Sequence, residues 1–157
     1  MTIEVDYIDN RRGVIIRQSG VVTGKEIIAA HDKIYKQHQL HCQQYHIIDK
    51  SGCTEYDVNA SEVEIIARLD CKMTRYNSNI IMAVVESTCL QFNLTDVWQA
   101  YVEDNILYSK SFSNQADALR WVNKTLWRIK YKSFRNNSEL DCLKVNNFIP
   151  DSSSMLR

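Results

Sequence analysis

An aspartate, a lysine and a serine stand in a row at Asp49-Lys50-Ser51, and a second aspartate and serine follow at Asp57 and Ser61. A carboxylate, an ammonium and hydroxyls this close together can hold a small polar ligand or offer a serine for phosphorylation. The preceding Tyr45-His46-Ile47-Ile48 reads as a strand at the buried centre of a sheet. Open α/β sheets bind ligands at the carboxyl ends of their strands. The spacing then predicts a polar loop after Asp49 and a helix from Ser61, whose N-terminus can stabilise an anion. These five residues are the candidate ligand or regulatory site. No catalytic residue is assigned, because no decisive catalytic motif is present.

Other chemistry-bearing groups have plainer readings. Gly20-Val21-Val22-Thr23-Gly24-Lys25-Glu26 has the residue types of a phosphate loop but is one residue short, with Glu26 where a metal-binding hydroxyl belongs. A capped helix start accounts for all seven. His38, His41, Cys42 and His46 lie within nine positions, but they follow no ligand spacing of a zinc site, so no metal is assigned and no cofactor is expected. Cys53 and Cys89 are the candidate nucleophiles of a rival reading, an enzyme or a carrier of a small apolar ligand, although no histidine is placed by sequence as their base. Trp127-Arg128-Ile129-Lys130-Tyr131-Lys132 alternates aromatic or aliphatic with basic residues. Trp127, Lys130 and Tyr131 are therefore the candidate contact for a protein partner or a homodimer.

The 157 residues suit one main domain, and the 19 basic and 19 acidic residues balance, so nothing calls for a nucleic acid or an acidic surface as partner. The mild asymmetry that remains puts a net +3 on residues 128–157 and −3 on residues 1–127. Five cysteines without CxxC spacing argue against a disulfide framework and for a reducing compartment. The start lacks the pattern of a secretion signal and no apolar run reaches the ~20 residues of a membrane span. A cytoplasmic location is expected.

The elements that must position the site follow from periodicity. Ile3, Val5 and Tyr7 alternate with more polar residues, and Asp9–Gly13 has the chemistry of a turn, so Val14–Gln18 is predicted to pair antiparallel with the first strand. Thr23-Gly24-Lys25-Glu26 and Ser61-Glu62-Val63-Glu64 read as capping boxes opening two helices. Ile80–Val85 is apolar throughout, as a parallel strand covered on both faces would be, and is expected to be the central strand. A third helix is predicted from near Ser87 through Val102, a short strand at Ile106–Tyr108, and a fourth helix capped by Ser113 and carrying Ala118, Leu119, Val122 and Leu126 inward. The fold class is α/β, a mixed sheet of about five strands in the order ββαβαβαβα, with helices packed against it. Residues 1–127 form the domain. Residues 128–157 read as a polar, mildly basic tail in which periodicity fades from about Tyr131.

That element order resembles the STAS superfamily, whose prototype is the bacterial anti-anti-sigma factor of SpoIIAA-like fold. Three segments carry the resemblance: the glycine-led Gly20-Val21-Val22-Thr23, the strand end Ile47-Ile48-Asp49-Lys50-Ser51, and Phe112–Val122 with its Phe, Ala118-Leu119 pair and Trp121. The last is similar to the closing helix of stand-alone SpoIIAA-like proteins. Anti-anti-sigma factors carry Asp-Ser-Ser-Gly before the second helix; here the segment is Asp57-Val58-Asn59-Ala60-Ser61, with valine at the phosphoserine position. The resemblance implies a SpoIIAA-like fold and a non-enzymatic regulatory or adaptor role, by binding a protein or a small ligand.

Overall fold

Tyr45–Asp57 is a single strand of 13 residues at the middle of the sheet in a computed structural model that describes residues 2–36, 40–86, 94–102, 104–106 and 108–146. In chain order the elements are β1 (Ile3–Ile8), β2 (Gly13–Thr23), α1 (Gly24–Tyr35), a 3-10 turn at Leu40–Cys42, β3 (Tyr45–Asp57), α2 (Ala60–Met73), β4 (Ile81–Val85), α3 (Leu94–Val102), β5 (Tyr108–Phe112) and α4 (Gln115–Asn146). The sheet order is β1-β2-β3-β4-β5. Only β1 and β2 are antiparallel; each later pair is parallel. The architecture is the expected α/β one, with a mixed five-stranded sheet and four α-helices among the described residues.

Why the helices lie where they do follows from that order. Parallel neighbours need crossovers, crossovers are right-handed, and three that step the same way across the sheet put α1, α2 and α3 on one face. Val14 and Ile16 of β2, Ile48 of β3 and Met82 and Val84 of β4 point to that face and join Ile27 and Ile34 of α1, Val63, Ile66 and Met73 of α2, and Trp98 and Val102 of α3 in one core. Alternate residues Ile15, Ile47, Ile81, Ala83 and Val85 face the other way and are also buried. A sheet covered on both sides explains why β4 is apolar throughout and why β3 is buried from Tyr45 to Lys50. The central strand is nonetheless β3, not the run beginning at Ile80, because β5 adds outside β4 and makes it second from the edge.

Local chemistry sets the boundaries. Thr23 caps α1 as predicted: its Oγ1 accepts from Glu26 N at 3.3 Å, and its own N–H donates to Glu26 Oε2 at 3.0 Å. The box of α2 lies two residues earlier than the expected Ser61. Asn59 Oδ1 accepts from Glu62 N and Asn59 N donates back to Glu62 Oε2, each at 3.0 Å, because an asparagine with an acid three residues on satisfies the same orphan donors. Similarly Asn114, not Ser113, accepts from Asp117 N at 2.9 Å and caps α4. The last strand is Tyr108–Phe112 rather than Ile106–Tyr108. As a parallel edge strand, half open to solvent, it tolerates Ser109, Lys110 and Ser111, whereas buried Ile106 precedes it in the chain. Residues 87–93, over which the third helix is predicted to begin, and residues 147–157 lie outside the described residues.

The hairpin and strand β3 are joined by a close fit. A Cβ on Gly13 would stand 2.3 Å from the Tyr45 ring, so only glycine lets that ring lie across β2. The Tyr45 hydroxyl donates to Asp9 Oδ2, in a turn where Asp9, Asn10 and Arg11 all take left-handed backbone angles. By its contacts the chain groups into two units, Met1–Thr125 and Leu126–Arg157. In the first, α4 supplies the buried stripe Ala118, Val122 and Thr125. In the second, α4 continues to Asn146 instead of fading near Tyr131. Among the described residues no helix is long and apolar enough to cross a membrane. Because Ile48 is buried on the central strand, Ile48→Ala should cost about 2–5 kcal/mol in urea unfolding, and an effect below about 1 kcal/mol would contradict this packing.

Candidate functional site

Asp49, Lys50, Ser51, Asp57 and Ser61 do not form one cluster. The strand does not end at Asp49; it runs on to Asp57, paired with β2 as far as Thr23. The polar loop expected there is a two-stranded extension beyond β4, which stops at Val85 opposite Asp49. It holds because Gly20, at a φ of 68°, lies at one of two register shifts that reset the pairing. Asp49 is buried and its Oδ1 accepts from Ser51 N at 3.0 Å, a local side-chain-to-backbone bond within its own strand. Ser51, Asp57 and Ser61 are exposed. Lys50 alone turns inward.

Lys50 is 8% exposed. Its Nζ donates to Thr95 Oγ1 at 2.8 Å, stands 3.8 Å from Glu86 Oε2 and lies 5.0 Å from the centre of the Tyr56 ring. Burial lowers its pKa, and Glu86 partly offsets that. The ammonium helps line a cavity between the sheet and α1, α2 and α3, whose walls include Gln18, Ile27, His31, Ile48, Asp70 and Trp98. The space open to the centre of a water molecule is about 40 Å³. At ~10–15 Å³ each, that is room for roughly three waters.

Asp70 is the chemical centre of the roof. Its Oδ2 accepts from Trp98 Nε1 at 2.8 Å, its Oδ1 accepts from the Tyr35 hydroxyl, and His31 Nδ1 is 3.2 Å from the same Oδ1. The His31 contact has the distance of a hydrogen bond but not its direction, so it counts as a close polar contact rather than a full bond. Burial raises the Asp70 pKa, but His31, Tyr35 and Trp98 together outweigh it and hold the carboxyl below its ordinary value. The opposite wall is less satisfied. Gln18 is 2% exposed, and among the described residues neither its Oε1 nor its Nε2 has a well-directed partner, although the Tyr56 hydroxyl lies beside it. His31 Nε2 is likewise buried and without a partner there.

A second buried histidine stands beside this group. His46 Nε2 lies 2.7 Å from Gln43 Oε1, and its ring stacks on Tyr35 with centroids 5.9 Å apart. Burial pushes its pKa down from 6.5 to about 4. His41 is exposed, Cys42 is half-buried, and His38 lies outside the described residues. Among the described residues no three His, Cys, Asp or Glu side chains converge as metal ligands. Cys53 is buried on β3 and its thiol is pushed up to about 11 by burial; Cys89 lies outside the described residues. Thiolate chemistry at neutral pH needs the opposite shift. The cavity can therefore hold and polarise a small molecule, and its hydroxyls are those of Tyr56, raised in pKa by burial, and Thr95, engaged by Lys50.

In the second unit, Trp127 and Tyr131 stack with centroids 5.3 Å apart and are 65% and 55% exposed. Lys130 is exposed on the same helix. The residue pattern of the chain did not single out His31, Asp70 or Gln18 as site residues. The signal was there: Asp70 interrupts the stripe Val63, Ile66, Ala67, Met73, and Gln18 holds the place of an apolar residue after Val14 and Ile16. No protein-family model matches the chain, and no curated protein matches it significantly.

Two outcomes follow from this chemistry. Asp70→Ala strands the Tyr35 and Trp98 donors in the interior and should cost about 3–5 kcal/mol in urea unfolding, whereas a change below about 1 kcal/mol would mean the roof does not depend on it. His46, with its folded pKa below the unfolded value, takes up a proton on unfolding between pH 6.5 and about 4. Stability should therefore fall by roughly 3 kcal/mol as pH drops through that window. Asp70 adds a further loss below its ordinary 3.8 as its lowered pKa is approached. Unfolding curves of the protein and of His46→Phe at pH 7 and 4.5 check this; equal slopes would contradict it.

Proposed function

We propose that this chain is a regulatory or adaptor protein of SpoIIAA-like fold that acts by binding, without chemistry of its own, and that its small-ligand site is the cavity beneath α3. The observation that carries the reading is the Gln18 amide, buried against that cavity with neither polar atom properly partnered among the described residues. Buried polar groups in folded proteins are nearly always satisfied, by protein, water or ligand. A pocket that combines apolar walls, a few convergent polar groups and shifted pKa values is the usual form of a binding site.

The element order, the Phe112–Val122 segment and the thiols of Cys53 and Cys71, both raised in pKa by burial, support the SpoIIAA-like, non-enzymatic side of the reading. The raised pKa of Cys53 weighs against a nucleophile at that position. In the cytoplasmic role proposed here, the exposed Trp127, Lys130 and Tyr131 are the place for a protein partner, since aromatic side chains are enriched in interface cores. Native mass spectrometry of the full chain isolated from its own host tests the proposal. A small-molecule adduct should be present and should be lost from Lys50→Met. A bare polypeptide mass under gentle conditions, with no adduct in either form, would overturn it.

A further inference from the structure

We infer that the cavity takes a small uncharged molecule carrying a hydrogen-bond donor and an acceptor side by side, a primary carboxamide being the simplest case; this rests on the binding reading above. Size sets the first limit. A space of about 40 Å³ for water-sized centres accommodates roughly three waters, or a ligand of three or four heavy atoms at the buried end.

Charge sets the second limit. The ionic groups around the cavity already have counterparts among the described residues: Lys50 has Thr95 and Glu86, and Asp70 has Tyr35, Trp98 and His31. A carboxylate or an ammonium entering this space would give up its hydration without finding an unengaged counter-charge, which is the costly way to bury an ion. A neutral guest meets no such penalty.

Hydrogen-bonding capacity sets the third. Among the described residues, the atoms lining the cavity without a well-directed partner are an amide N–H₂, an amide oxygen and an imidazole nitrogen, from Gln18 and His31. With its Nδ1 proton turned toward Asp70, His31 offers Nε2 as an acceptor. The set therefore asks for a ligand that both donates and accepts. A carboxamide does so with one planar group, pairing reciprocally with Gln18 and donating its second N–H toward His31. Ile27, Ile48, Val63 and Val84 leave an apolar side for a methyl or short alkyl end.

Three isosteric probes separate the chemistries: acetamide, acetate and acetamidinium, which are neutral with donor and acceptor, anionic with acceptors alone, and cationic with donors alone. Each is titrated into the isotopically labelled full chain and followed by amide NMR shifts, with Gln18→Met as the variant. Acetamide should shift residues around Gln18, His31 and Lys50 in a saturable way. Its apparent affinity should exceed that of either charged probe at least ten-fold, and Gln18→Met should weaken it at least ten-fold without lowering Tm. Tighter binding of acetate or acetamidinium at the same residues would overturn the ligand class and leave the binding reading standing. No saturable shift with any probe up to its solubility limit would overturn the inference, and the host-derived adduct would then decide the broader reading by itself. Should Gln18→Met not fold, the ranking of the three probes on the unaltered chain decides the inference.

Discussion

A fully buried carboxylate must be surrounded by donors, and Asp70 obtains its donors from the two helices on either side of its own. It stands on α2, receives Trp98 from α3, and receives Tyr35 and the His31 contact from α1. Three helices that could slide on a greasy sheet are thereby held in one register, because any shift strands a donor in the interior. The Tyr35 ring carries the constraint down to the sheet by stacking on His46 of β3. The cavity is a consequence of the same arrangement. A roof held up by polar side chains of fixed length cannot collapse fully onto Ile48 and Val84, and the space beneath it remains.

Much of the fold was legible because periodicity and capping act locally. Thr23 and Glu26 form their box from four consecutive residues, and the two strands of the opening hairpin alternate as a half-buried pair should. What could not be read was whatever depends on neighbours far along the chain. Ile47-Ile48 and Ile81–Val85 are both buried apolar runs, and nothing within either says which lies in the middle; that follows from the edge on which β5 adds. The long β2–β3 extension was missed because Asp49-Lys50-Ser51-Gly52 has the composition of a loop. Its strand pairing depends on a register shift in the partner strand, and no local pattern in β3 reports that.

The candidate site was legible in one residue of five. Lys50 reaches the cavity because strand alternation places it on the same face as His46 and Ile48, whereas Asp49 turns the other way. Gln18, His31 and Asp70 each look, taken alone, like a polar residue spoiling an apolar stripe. Their meaning appears only when β2, α1 and α2 are brought together, since a polar residue in a stripe is an error by itself and a site when several such residues converge. The stacking of Trp127 on Tyr131 needs only the spacing of four along one helix.

The strand order β1-β2-β3-β4-β5 also bears on how the chain reaches this state. Every strand pairs with the one made just before it, so no strand has to be inserted between two already joined, and each loop that must close is short for a parallel sheet. During synthesis the hairpin is made before β3 and presents the edge on which β3 adds; β3 then presents the next edge for β4, and β4 for β5. Growth is by accretion at one moving edge. The Asp70 lock closes only after Trp98 has arrived, when four of the five strands have already been made, so the polar roof is a late event that tightens a sheet assembled without it.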